Sequence, residues 1–497
     1  MDPLFEIELD LAAKGSRASA RTLYQELKAA ILDGRLGLGA KLPPTRKSEV
    51  FFGVSRNTAI EVYERLLNEG YLVARHGSGT YVADHVPATA PRAAPNAEAA
   101  PHHQLNAFWL RADVTAAMGF WRDRPDPLSS RQSAARIEFR PALIDSQLFP
   151  FEVFRKISAK QLRGLERKPA SLKSPQGNQG NYSLRDATSK HIGLTRAVVC
   201  QPDDIVVTSG AQQAFDLLAR VLVTPGQTTV AIEDPGYPPM RVAFAAAGAK
   251  IVPVGVDAEG LIVEQLPPDV DVICVCPSHQ FPLGITMSMR RRKALVEFAR
   301  AHGAVIVEDD YDGEFRYDGS PLEALRTADA ADVVFYVGTF SKCMLPALRL
   351  GFVVAPEWAM PTLVAAKNCM DWHCPIPVQL GVAGFIADGH LSRHVRKMRQ
   401  TYKQRRQRLL NGLQEELGEW LDPIPSYYGM HIAAVARAPL DLDRLAETLR
   451  QQNVQVHALS RYHLGPQTWD GLVFGYGAVD LDEIDQGVEL LRAALLG

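Results

Sequence analysis

The sequence predicts an α/β protein in two unlike parts: a small helical module closed by a β-hairpin, and a large domain on a largely parallel sheet. Three observations carry that expectation. At 497 residues the chain exceeds one ordinary domain and has room for roughly two to four units, each with its own core. Residues 86–104, VPATAPRAAPNAEAAPHHQ, are dominated by Ala and Pro without apolar periodicity and read as a semi-stiff linker. Beyond about residue 140, strand-like apolar runs alternate with helical patterns, as in a parallel sheet. The expected divisions are 14–84 for the module, 85–135 for the linker and a connecting segment, and 136–497 for the large domain. Phe108, Trp109, Leu110, Phe120 and Trp121 make the connecting segment too apolar for pure linker, so it is expected to pack on the large domain.

Composition narrows the class. Hydrophobic residues at 46% and charged residues at 22% are those of a folded globular protein, which excludes disorder and collagen-like repetition. The net charge of -2 means that any affinity for nucleic acid must come from local clustering. Residues 14–80 supply it, with 11 Lys and Arg against 6 Asp and Glu. The opening MDPLFEIELD lacks the basic start and apolar core of a signal peptide, and no run approaches 18 apolar residues, so a cytoplasmic protein without membrane contact is expected. The six cysteines form no CxxC pair and no zinc-like spacing with histidine; buried free thiols and no metal site are expected. His102-His103 lies in polar, Pro-rich sequence and is expected to bind nothing.

In the module, LYQELKAAILDG places Leu23, Leu27, Ala30 and Ile31 at helical spacing, with Gly34 as terminator. Thr45 is placed to cap a second short helix ending at Gly53, and Ser55 to cap a third. The third helix turns Ala59, Ile60, Tyr63, Leu66 and Leu67 inward. That leaves Arg56, Asn57 and Thr58 at an exposed N-terminal turn, where a recognition helix offers side chains to the major groove. Arg56 there can read guanine or grip phosphate. YLVARHGSGTYVA then gives two short strands around Gly77, Ser78 and Gly79, a wing whose backbone can approach phosphate while Arg75 and His76 add charge or enter the minor groove. Together these make a winged helix-turn-helix.

In the large domain the apolar runs carry functional groups at their C-terminal ends: IVVTSGAQQ, TVAIEDPGYP, VICVCPSHQFPLG, AVIVEDDYDGEF and VVFYVGTFSK. Open α/β sheets bind ligands in the crevice above those ends. The groups suggest an aldehyde cofactor whose pyridine ring serves as an electron sink. Lys342 follows an apolar strand and is the candidate Schiff-base amine, although a lysine after a serine is by itself ordinary surface. Asp309 can pair with a protonated ring nitrogen. Ser209, Gly210 and Ala211 open a helix straight after a strand, where unpaired N–H groups and the helix dipole suit a phosphate. Thr339 and Arg349 flank the lysine and can complete the phosphate cup.

The module resembles the GntR family of winged-helix regulators through ILDGRLGLGAKLPPTR, GVSRNTAIEVYERLLNEGYL and RHGSGTYV, over residues 20–83. That resemblance implies dimeric binding to double-stranded DNA operators, with Arg46, Ser55, Arg56, Asn57, Thr58 and Gly79 at positions that touch DNA. Lys47-Ser48-Glu49 departs from the leucine and alanine pair usual there. From about residue 138 onward, CPSHQFPLG, VEDDYDGEFRY and GTFSKCMLPALRLG resemble fold-type I aminotransferases, specifically the MocR regulator subgroup. The resemblance implies pyridoxal 5'-phosphate as cofactor and a large sheet domain with a smaller α/β subdomain. Lys342 then resembles the Schiff-base lysine, Asp309 the partner of the pyridine nitrogen, Tyr311 the group beside the ring hydroxyl and Tyr237 the ring-stacking aromatic. His279 or Gln280 stands for the asparagine that contacts the ring oxygen.

Two departures bear on function. Pro175 stands where the family commonly has a tyrosine contributed across the dimer to the cofactor phosphate. Leu472 stands where many aminotransferases have an arginine that clamps the substrate carboxylate, and Arg461 or Arg241 is the candidate to substitute for it. The resulting expectation is a domain-swapped homodimeric transcription regulator. Its effector is the cofactor itself, or an amine or amino acid forming an aldimine with it at Lys342, with little or no turnover. The alternative is a working aminotransferase with a DNA-binding appendage.

Overall fold

Leu23, Leu27, Ala30 and Ile31 recur every third or fourth residue, so a helix here has one side that must leave water. In a computed structural model, which describes residues 17–84, 106–119, 137–167, 177–318, 323–329 and 332–496, those four side chains sit buried on the helix Arg17–Leu32. The chain divides into two units, 1–105 and 106–497.

In the first unit the core gathers Leu23, Leu27, Ile31, Phe52, Ala59, Val62, Tyr63, Leu66 and Leu72. The second helix, Ser48–Phe52, is shorter than expected. Thr45 opens a 3₁₀ turn, Thr45–Lys47, instead of capping it, and Gly53 ends the helix at φ 63. The third helix, Arg56–Asn68, is capped as expected by Ser55, whose side chain accepts from the Thr58 N–H. Its inward face differs in one respect: Val62 is buried, whereas Ile60 and Leu67 are only half-buried. Leu72–Arg75 and Gly79–Val82 pair antiparallel, with Arg75 opposite Gly79.

The second unit begins with the apolar segment expected to pack on the large domain. Residues 107–110 form a 3₁₀ turn and Ala112–Gly119 a helix, whose Val114 and Ala117 pack with Phe108 on Val242. Phe120 and Trp121 lie outside the described residues.

The main sheet has eight strands in the order Ile205–Thr208, Gly351–Val354, Val334–Thr339, Val305–Asp310, Val272–Val275, Thr229–Asp234, Lys250–Asp257 and Gly260–Leu261. Gly351–Val354 runs antiparallel to both of its neighbours, and the five strands from Val334–Thr339 to Lys250–Asp257 are mutually parallel. Helices cover the sheet, so the central strands are apolar on both sides, as parallel sheets require. Their C-terminal ends therefore open along one edge. A second, four-stranded antiparallel sheet joins Leu421–Pro423, His431–Ala436, Gly471–Gly475 and His457–Ala458. No helix among the described residues is long and apolar enough to cross a membrane.

Candidate functional site

The DNA-reading candidates lie on the surface of the first unit. Arg46, Ser55, Arg56, Asn57, Arg75, Gly77 and Gly79 are exposed and Thr58 half-exposed; at the third helix this follows because its opposite side is spent on the core. Arg75 packs over the Tyr81 ring at 4.8 Å and lies 3.5 Å from Asp84, so it is held along the wing. The sequence reading passed over Lys41, which folds back onto the wing: its ammonium lies over Tyr81, and its Cε would be 3.1 Å from any Cβ placed on Gly79. Nothing in the local pattern around Lys41 signals that return.

In the second unit, the strand Val305–Asp310 ends in three consecutive carboxylates, and alternation sorts them. Glu308 accepts from the N–H groups of Leu325 and Arg326. Asp310 accepts from Arg196 at 2.5 Å and from the Tyr336 hydroxyl at 2.6 Å. Asp309 faces the other way. Its Oδ2 meets only the Cys276 thiol at 3.8 Å, and its buried Oδ1 has no hydrogen-bond partner. Burial pushes its pKa up to about 8, helped by Asp310 and Asp312 and opposed by Cys276 and the Lys342 charge.

Lys342 lies past the next strand, Val334–Thr339, whose Val337 is in register with Asp309. It is partly buried, and its Nζ donates to the Ala142 carbonyl at 2.6 Å. At the far side of the sheet, Gly210 takes φ 82 as N-cap of Ala211–Leu222, with Ser209 just before it. A Cβ on Gly210 would stand 2.9 Å from the guanidinium of Arg349, which donates to the Ser209 carbonyl at 2.9 Å. Thr339 Oγ1 accepts from the Ser341 N–H at 3.1 Å, which adds Ser341 to this group of phosphate candidates.

Tyr237 packs edge-on to Phe281, and Tyr311 is buried with its hydroxyl 3.0 Å from His279 Nδ1. Gln280 behaves differently from His279. Its amide donates to the carbonyls of Pro235 and Phe281 and accepts from the Leu283 N–H, so it holds backbone. Leu472 is fully buried in the core, in register with Ala434 and Ala458. Arg461 is exposed, whereas Arg241 is half-buried and lines a pocket with Tyr237, Glu233 and Tyr462. Pro175 lies outside the described residues.

Both parts of the chain match known families. Residues 19–82 match bacterial regulatory proteins of the gntR family, and residues 145–473 match aminotransferase class I and II. The probable rhizopine catabolism regulatory protein MocR of Rhizobium meliloti is 34% identical over 96% of this chain and 93% of its own length. The chain belongs to the MocR-type regulators. Another relative, the pyridoxine biosynthesis transcriptional regulator PdxR of Corynebacterium glutamicum, is 30% identical over 93% of this chain and 92% of its own. Among solved structures, a kynurenine aminotransferase from Pyrococcus horikoshii superposes with a TM-score of 0.66 at 28% identity, over 76% of this chain and 97% of its own. This MocR-type chain thus joins a GntR reader to a fold-type I aminotransferase domain, the pairing of a pyridoxal-phosphate-dependent transcription regulator. Its pocket residues fit that cofactor: a partnerless buried carboxylate oxygen for a ring N–H, a half-buried lysine, and a glycine-opened helix start beside an arginine.

Proposed function

We propose that the large domain holds pyridoxal phosphate through Lys342 and acts as a sensor, changing how a homodimer presents its two DNA readers. The observation that carries this reading is Asp309, whose buried Oδ1 has nothing to accept from and whose Oδ2 meets only a thiol, whereas Glu308 and Asp310 on the same strand each accept strong N–H or O–H donors through at least one oxygen. A protonated pyridine nitrogen supplies the missing donor and a compensating charge. When bound, the cofactor supplies an aldehyde that amines can reach and a ring that withdraws electrons. Tyr237 would stack on the ring, Tyr311 would face its oxygen with His279 behind it, and Ser209, Gly210, Ala211, Thr339 and Arg349 would hold the phosphate.

Core burial of Leu472 supports sensing over turnover, because no guanidinium stands at that position to clamp a substrate carboxylate. The effector is the cofactor itself, or an amine or amino acid that joins it. The reading places the protein in the cytoplasm as a homodimer on double-stranded DNA. The test incubates the purified chain with pyridoxal phosphate and then with an amino donor and a keto acid. An absorbance band near the visible edge, absent in Lys342→Ala and shifted by the amine without sustained keto-acid consumption, supports the reading. Steady turnover at ordinary aminotransferase rates would favour the enzyme alternative.

A further inference from the structure

Behind Tyr311 lies a polar cluster that the sensing reading does not use. Asp312 Oδ2 is 2.9 Å from His279 Nδ1, and the Tyr311 hydroxyl is 3.0 Å from both that nitrogen and the His279 carbonyl oxygen. His431 packs on the His279 ring at 4.5 Å and reaches the Pro282 carbonyl through Nε2 at 2.9 Å. His279, Asp312 and His431 are at most 2% exposed.

The imidazole has no other place to go. Gly429, at φ +79, lies flat against it, and a Cβ there would fall 1.9 Å from Cε1. His279 Nε2 is buried without a partner, so the ring gains nothing by carrying its proton there. A carboxyl group facing Nδ1 settles which nitrogen is protonated. With Nδ1–H committed to Asp312, Tyr311 cannot give its proton to that nitrogen. Its hydroxyl keeps the proton for the His279 carbonyl or for an acceptor in front of it.

Burial disfavours charge on both groups, lowering the basicity of His279 and raising the pKa of Asp312, so the pair stays neutral and a carboxyl oxygen of Asp312 is the acceptor facing Nδ1–H. The cations facing the pair are Lys342 and Arg406, and the further carboxylates are Asp310 and Glu314. Tyr311 itself faces Asp309, Glu233 and Cys276. Although His279, Asp312 and His431 converge to within 4.8 Å, His279 Nδ1 is already shared between Asp312 and Tyr311. Tyr311, His279 and Asp312 thus form a hydrogen-bonded chain against which the His431 ring packs.

We propose that Asp312 is a positioning residue: by fixing the Nδ1 proton of His279, it leaves the Tyr311 hydroxyl proton for the oxygen substituent of a pyridine ring docked on Asp309. The proposal rests on the cofactor reading above and adds a residue, Asp312, that never touches the cofactor.

The test is a pH titration of the absorbance band of the full-length, cofactor-loaded protein, run as a double-mutant cycle. Asp312→Asn is expected to move the titration midpoint by about one pH unit or more when Tyr311 is present, a differential effect of roughly 1.4 kcal/mol. In the Tyr311→Phe background the same substitution is expected to move it by less than about a third of a unit. His279→Gln, which has no ring proton to fix, is the second arm should Asp312→Asn fail to fold, and is expected to match its midpoint. Equal displacement in both backgrounds would mean a through-space charge effect and overturn the proposal, as would no displacement in either. Stoichiometric zinc in the purified protein, with the band unaffected by Asp312→Asn once the zinc is removed, would also overturn it. A wild-type protein with no band at all fails the cofactor reading instead, so the two failures are distinguishable.

Discussion

Asp309 shows how much a single residue's placement can decide. Of the three adjacent carboxylates, strand alternation gives two of them backbone or arginine partners and leaves the third facing a thiol. A folded-state pKa raised to about 8 contributes stability that is present below the ordinary carboxylate range and lost as pH rises toward 8. Glu233 and Asp312, likewise pushed up to about 8 by burial, add to the same sign. His279, His431, His457 and His394, held unprotonated by burial, carry the opposite sign up to the ordinary histidine range, so the cofactor-free protein is expected to lose thermal stability between about pH 6.5 and 8. Asp309→Asn is expected to flatten part of that slope in melting curves taken across the range; parallel slopes for the two proteins would contradict the assignment. At this scale the sequence was legible wherever a motif ends a strand, as for Lys342 and Asp309. Asp312, His431, Ser341 and Lys41 were not singled out, because their relevance depends on what folds against them from remote parts of the chain.

At the scale of elements, local chemistry made the recognition helix readable: Ser55 caps it and the apolar positions point one way. Ser55→Ala is expected to cost about 1 kcal/mol in unfolding experiments on the full chain. Arg56→Ala is expected to weaken specific operator binding by about 1–3 kcal/mol if it reads a base, measured by mobility shift; unchanged binding would remove Arg56 from the contact set. The strands bearing site residues were legible from their continuous apolar runs. Lys250–Asp257 was not among them, because Pro253 interrupts its run, and proline demotes a strand candidate. It is tolerated because the strand lies near the sheet margin, beside the two-residue Gly260–Leu261. The Thr45 cap failed for a different reason. Pro44 precedes it and is extended, and the chain enters the second helix through a tight 3₁₀ turn.

For the whole molecule, two patterns in one chain made the architecture legible. A positively charged module of period-3.6 helices precedes a linker-like stretch, and an alternating α/β domain follows it. DNA affinity carried by that module is expected to fall steeply with salt, with a log–log slope of about -0.9 per phosphate contact. A slope near zero between 50 and 200 mM salt, roughly the range in which such contacts are lost, would contradict the electrostatic footing of the reader. Sensing adds a linkage requirement, because a ligand shifts DNA binding only if it favours one arrangement of the molecule over another.

That requirement is tested most directly by titrating the full-length protein against a labelled promoter fragment from its own locus, with and without pyridoxal phosphate, and repeating the titration with Lys342→Ala. The expected result is a change of about fivefold or more in the dissociation constant of the wild-type protein and none in the variant. Superimposable wild-type curves, with the cofactor demonstrably bound, would contradict the account.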